Sequence, residues 1–186
     1  MGKPSHAIAY LDAPRLLRAL SAGIGHVFQR REYLNRINVF PVPDGDTGTN
    51  MAFTFKTILE ATRSSPDSRV DDLMDHVAEA ALDGARGNSG AIMAQYFHGF
   101  REAVAGHRLL TPEGFAQAAV SGAEAAVWSV VTAAELLVVP VGLSALAALS
   151  PREHTARWVG LWLATGGVGL LLGLSLIHIS EPTRRH

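Results

Sequence analysis

Asp44 and Asp46 stand two apart in NVFPVPDGDTGTNM, the stretch from Asn38 to Met51. Pro41, Pro43, Gly45 and Gly48 surround them, and Thr47, Thr49 and Asn50 follow. Carboxylates this close can ligate one hard cation or bridge two. The chain contains no cysteine, so a metal would be held by oxygen or imidazole. Such a donor set suits magnesium, which completes its shell with water and substrate phosphates. The glycines permit a tight turn with backbone N–H groups pointing inward. Thr47, Thr49 and Asn50 could then donate to phosphate at the start of a helix, where an anion is already favoured. The same residues could also form a solvated turn whose aspartates only cap the next helix. The flanking prolines stiffen the approach and weigh against that bland reading.

A second loop, GARGNSG from Gly84 to Gly90, has three glycines with Asn88 and Ser89 immediately before an apolar-periodic stretch. It lacks the lysine of a Walker A sequence, yet it can cradle phosphate. By itself it also reads as a flexible turn with Ser89 as a cap, and Arg86, its one cation, as a surface residue. His6, His26, His76 and His98 read as surface or helix-face residues, so no nucleophile or other catalytic residue is assigned.

Helices must position these loops. Asp12 and Pro14 open a pattern with Leu16, Leu17, Leu20, Ile24, Val27 and Phe28 at helical spacing. It can continue through Ile37 until Pro41 and Pro43 forbid it. Thr49 or Asn50 is expected to cap the next helix, with Met51, Phe55, Ile58 and Leu59 as its apolar positions. Ser64 to Asp67 reads as a linker. A third helix carries Val70, Leu73, Met74, Val77, Ala80 and Ala81 and ends at Gly84. The fourth follows GARGNSG and is expected to bury Ile92, Met93, Tyr96, Phe97 and Phe100. Thr111 and Pro112 open a fifth, which runs past Phe115, Ala119 and Val120. Period-two alternation is absent from the first 126 residues, so this part reads all-α, as antiparallel helices joined by short loops.

Composition adds limits. The net charge is -1, which argues against nucleic acid as a partner. The amino terminus has no long apolar run before a small-residue cleavage site, and His6 stands where a myristoylation pattern needs Ser or Thr. A cytoplasmic protein is the expectation.

LNRINVFPVPDGDTGTNM, with GARGNSG some forty residues later, closely resembles the DhaL-type domain of the dihydroxyacetone kinase superfamily. The likeness covers residues 8–126 and is greatest to the amino-terminal domain of FakA-type fatty-acid kinases and relatives fused to DegV-like domains. It implies an all-helical antiparallel barrel that holds ATP or ADP at one end through two Mg2+ ions. Asp44 and Asp46 would be metal ligands. Asn38 would stand where dihydroxyacetone kinases use a third aspartate. Thr47, Gly48, Thr49, Asn50, Asn88, Ser89 and Gly90 would contact the nucleotide. The implied activity is that of a kinase, with a fatty-acid carboxylate presented by a separate lipid-binding protein or DegV-like domain as acceptor. Its rival is a non-catalytic subunit holding ADP and magnesium as a fixed cofactor.

The expected closing helix and PVEGT-like segment do not follow SGAEAA. Residues 127–173 are apolar instead: Trp128 to Leu149 carries Glu135 as its one ionisable group, and Leu161 to Leu174 carries none. Trp128 to Leu149 is about long enough to cross a bilayer, and Trp158 to Ile179 could form a second span. The barrel is therefore expected to be incomplete, followed by an apolar helical hairpin that is either a membrane anchor, extending to about residue 179, or a misjoined piece. A barrel without its closing elements could be inactive. Residues 174–186 begin with LSLIHISEPTR, which is similar to the translation of a transposon-based sequencing adapter, so this tail is expected to be foreign.

Overall fold

In the computed structural model, residues 9–38, 43–63, 68–149, 151, 154, 156–161 and 164 are described. The linker at 64–67, the tail at 174–186 and most of the second apolar stretch lie outside the described residues. The fold is all-α: α1 (Ala13–Gln29), α2 (Arg31–Arg36), α3 (Thr47–Thr62), α4 (Val70–Asp83), α5 (Gly87–Val104) and α6 (Pro112–Leu149). Two compact units divide at Val131 and Thr132.

In the first unit, Asp12 caps α1 as its sequence position suggests, accepting the Arg15 N–H at 2.8 Å. The helical pattern of residues 12–37 is broken at Arg30, whose backbone turns the chain from α1 into the short α2. α3 packs on α1, α2, α4 and α5, and α4 packs along α5. Their shared core is apolar, with Ile58, Val70, Leu73, Val77, Ala81 and Val104 wholly enclosed. Phe55, Phe97, Tyr96, Phe100 and Phe115 continue it as a chain of ring contacts, mostly edge-to-face. An apolar cavity of about 390 Å³ opens beside them, between Leu20, Ile24 and Met93.

One expected core position comes out differently. Ile92 is exposed, because the inward face of α5 is set by Ala94, Phe97 and Phe100. On α6 the inward residues are Ala118, Gly122 and Ala126, while Val120 is exposed. Small residues serve here because the backbones nearly touch. A Cβ on Gly99 would lie 2.7 Å from the Ser121 carbonyl oxygen, and one on Gly122 would lie 2.7 Å from that of Tyr96.

The connection before α6 is tied down by backbone pairing. Leu11 and Leu110 exchange N–H···O bonds of 2.7 and 2.9 Å. The first N–H groups of α4, at Val70 and Asp71, donate to Arg108 and His107 carbonyls and so lack the usual helix-end vacancy. Arg69 forks onto the Asp71 carboxylate at 2.9 and 2.6 Å and also reaches the Gly106 carbonyl.

α6 continues without interruption past residue 126. It is long and apolar enough to cross a membrane: an 18-residue window reaches a mean hydropathy of 2.0, with none of that window buried. In the second unit a short helix covers 156–161.

The guanidinium beside Asp71 holds its carboxyl below the ordinary carboxylate range. A depressed folded value stabilises the protein above the unfolded pKa of about 4 and loses that contribution as pH falls through the folded value. Asp71→Asn is therefore expected to lower the Tm at pH 7, with the gap from the parent closing in acid below about pH 4. Thermal unfolding from pH 7 to pH 2.5 checks this, and a gap that does not change with pH would remove the ion pair as its cause.

Candidate functional site where two glycine loops meet

The first loop ends in a turn that only glycine makes cheaply. Gly45 sits between the two aspartates with φ of 68°, in the left-handed region. Asp44 is exposed and Asp46 half-buried. The Asn38 amide donates to the Asp44 carboxylate, and its own backbone N–H donates to the Asn35 carbonyl oxygen at 3.3 Å. Asn38 therefore stands beside Asp44, with its nitrogen toward that carboxylate. Its amide oxygen is the atom that could face a cation. Among the described residues no group of three or more carboxylates and imidazoles comes together. The possible metal ligands are thus Asp44 and Asp46, with amide and hydroxyl oxygens beside them.

α3 starts earlier than expected. Thr47 is its first residue and Asp46 its N-cap, whose side chain makes no capping bond. Thr49 and Asn50 are consequently inside the first turn. Asn50 N–H closes the first helical bond onto Asp46 at 2.8 Å. Thr49 N–H is taken by the Asn35 side chain, which reaches across from α2. Thr47 and Gly48 N–H have no acceptor among the described residues. These two are the free donors of this helix end. Gly48 is buried, and a Cβ there would collide with the Arg31 carbonyl oxygen of α2.

The second loop lies against the same helix. Thr54, fully buried, accepts the Arg86 N–H at 3.2 Å and donates to the Asn50 carbonyl at 3.0 Å. A Cβ on Gly90 would come within 2.5 Å of the Thr54 hydroxyl. Gly87, with φ of 57°, packs on the Asn50 amide, and Gly84 packs on Thr57. Asn50, Thr54 and Thr57 form one stripe on α3. The two motifs, forty residues apart in sequence, are joined at Asn50 and Gly87.

The other expected contacts are placed as follows. α5 begins at Gly87, so Asn88 and Ser89 lie in its first turn, Asn88 exposed and Ser89 half-buried. Their N–H groups have no acceptor among the described residues, whereas Gly90 N–H is bonded to the Arg86 carbonyl at 2.9 Å. Gly90 thus contributes closeness to Thr54 and no free donor. Ser89 is not the cap, because Arg86 holds that position. His98 pairs with Glu102 on the outer face of α5, and His26 is exposed near the end of α1.

Residues 41–135, about half of the chain, match the model of the DAK2 domain, and the match includes the second loop and the first from Pro41 onward. The chain belongs to the DAK2 domain family. A DAK2 domain is a dihydroxyacetone-kinase-like, nucleotide-binding domain of the kinase superfamily. An uncharacterized protein of Staphylococcus saprophyticus is 29% identical over 149 residues, covering 80% of this chain and 27% of its own length. Protein YloV of Bacillus subtilis is 30% identical over 139 residues, 75% of this chain and 25% of its own. An uncharacterized protein of Staphylococcus aureus strain USA300 is 31% identical over 140 residues, 75% and 26% respectively. The chain spans about a quarter of the length of the curated relatives it matches. The DAK2 match starts after Asn35 and Asn38, yet both reach into the first loop. Asn35 and Thr54 build the site, yet nothing in the sequence marks them as doing so. A polar residue inside a helix carries no mark of its partner until the helices are packed.

Thr54→Val keeps the shape and leaves the Arg86 N–H without its acceptor. The unfolding free energy is expected to fall by about 2 kcal/mol, with faster hydrogen exchange at the Arg86 amide. Unchanged exchange there would show that the loop is held elsewhere.

Proposed function

We propose that this chain is the magnesium-dependent ATP- or ADP-binding domain of a phosphoryl-transfer enzyme. The carrying observation is the meeting of the two glycine loops, which brings the free N–H ends of α3 and α5 together beside Asp44 and Asp46. Two helix N-termini favour a polyanion, and their unpaired N–H groups suit its phosphate oxygens. The donor set fits a hard cation: two carboxylates across a left-handed glycine, an amide oxygen and hydroxyls, with no sulfur. Asp44 and Asp46 would hold the metal, and Asn38 would orient Asp44. When bound, magnesium offsets the charge of a transferring phosphoryl group. Thr47 and Gly48 would bind phosphate oxygens through the backbone, and Asn88 and Ser89 would do so from the opposite side.

The acceptor we propose is a fatty-acid carboxylate, presented by a lipid-binding partner protein or a DegV-like domain, with the domain working in the cytoplasm. Resemblance of the two motifs supports this part. The alternative role, a subunit keeping ADP and magnesium as a fixed cofactor, uses the same residues and differs in the rate of nucleotide exchange.

A second reading concerns α6. The unburied apolar window supports a membrane anchor that would tether this domain to a bilayer. Glu135 and Pro140 fall inside that segment and weaken its insertion.

Calorimetry on residues 1–186 is expected to show ADP binding that requires magnesium and disappears in the Asp44→Ala, Asp46→Ala variant. Metal-independent binding, or binding that survives in the variant, would sink the assignment. For the anchor, membrane association that resists a carbonate wash is expected, and release into the supernatant would count against it.

A further inference from the structure

We infer that Asn35 is a positioning residue that turns the Thr49 hydroxyl into an outward hydrogen-bond donor for a nucleotide phosphate oxygen. The inference rests on the nucleotide site proposed above.

The orientation of the Asn35 amide follows from its partner. Thr49 N–H can only donate, so the oxygen of Asn35 must face it, at 3.0 Å. The amide nitrogen is then directed at the Thr49 hydroxyl oxygen, also at 3.0 Å, and it can only donate. Thr49 therefore accepts from Asn35, and its own proton must point elsewhere.

Five other helical hydroxyls use that proton internally. Thr54, Thr57, Thr62 and Ser121 each donate to the carbonyl four residues back, and Ser129 donates to the one three back. Thr49 makes no such bond among the described residues, because it lies in the first turn and the position four back is Gly45, before the helix begins. Thr49 is half-buried beside the aspartate loop, and among the described residues its hydroxyl proton has no acceptor. A phosphate oxygen at the α3 terminus supplies that acceptor, and the bond would be charge-assisted.

The same amide closes the loop. Asn35 accepts the Asn38 N–H with its backbone oxygen while its side chain holds Thr49, so one residue of α2 grips both ends of the segment 38–49. Thr49 N–H is consequently removed from the set of donors open to ligand. Recognition at this residue falls to the hydroxyl alone.

Asn35→Asp separates orientation from anchoring. One carboxylate oxygen still accepts the Thr49 N–H, but the other can only accept, which draws the hydroxyl proton inward. The test is a double-mutant cycle of Asn35→Asp and Thr49→Val, read as the Kd for ADP with magnesium by calorimetry on residues 1–186, with the Tm recorded alongside. Each single variant is expected to weaken binding about tenfold or more, as the loss of one hydrogen bond to a charged group would. Asn35→Asp should keep a Tm near that of the parent, and Thr49→Ser should retain binding. In the Thr49→Val background, Asn35→Asp should cost much less, leaving only the effect of its charge on the phosphates. Strictly additive losses, or parental affinity in Asn35→Asp, would overturn the inference while leaving the nucleotide site intact. Absence of ADP binding in the parent protein would overturn the site itself and the inference with it.

Discussion

Gly84, Gly87 and Gly90 lie against Thr57, Asn50 and Thr54, and each approach is closer than a β-carbon would allow. This contact between a glycine loop and one stripe of α3 is the constraint from which the site is built. It sets where α5 begins, and it places the two free helix ends side by side. Gly48 repeats the device on the other flank of α3, where its bare backbone lets the helix press on the Arg31 carbonyl of α2. Glycine here serves proximity as much as turn geometry. Gly45 and Gly87 alone among these five combine their place in a loop with a left-handed backbone.

Buried polar atoms then fix what the close packing permits. The Thr54 hydroxyl sits in the core with both of its roles filled, donor to Asn50 and acceptor from Arg86. Asn35 likewise fills donor and acceptor roles on Thr49. Unsatisfied buried groups would be costly, so each of these pairs holds one arrangement in preference to its neighbours. The result is a polar seam along an otherwise apolar bundle. On its far side α5 meets α6 through Gly99 and Gly122, where the bare backbones let the helices come close.

Family membership and physical chemistry converge on the same loops from different directions. The DAK2 match covers the first motif from Pro41 onward and all of the second, and the free N–H groups of α3 and α5 are the donors that the proposed nucleotide site would use. The aspartates remain at the solvent edge of this polar seam, Asp44 exposed and Asp46 half-covered. That position would suit the proposed partner, a hydrated cation that arrives with its ligand rather than residing in the core.

The sequence by itself determined the all-α class, the existence of all of α1–α6 except α2, and both loops. Apolar periodicity, prolines and glycine clusters are local signals that survive without a fold. It also determined the donor chemistry, since the absence of cysteine and the pairing of Asp44 with Asp46 need no coordinates. It could not separate α2 from α1, because the break at Arg30 follows from packing on α3 and no proline or glycine marks it. Nor could it set the start of α3 at Thr47 or the inward face of α6 on Ala118, Gly122 and Ala126. Only the tertiary structure decided that Asn35 holds Thr49, that Thr54 holds Arg86, and that the two loops share one end of the bundle. The physical reason is that a hydrogen bond between residues 14 or 32 apart exists only once the helices carrying them have been brought together.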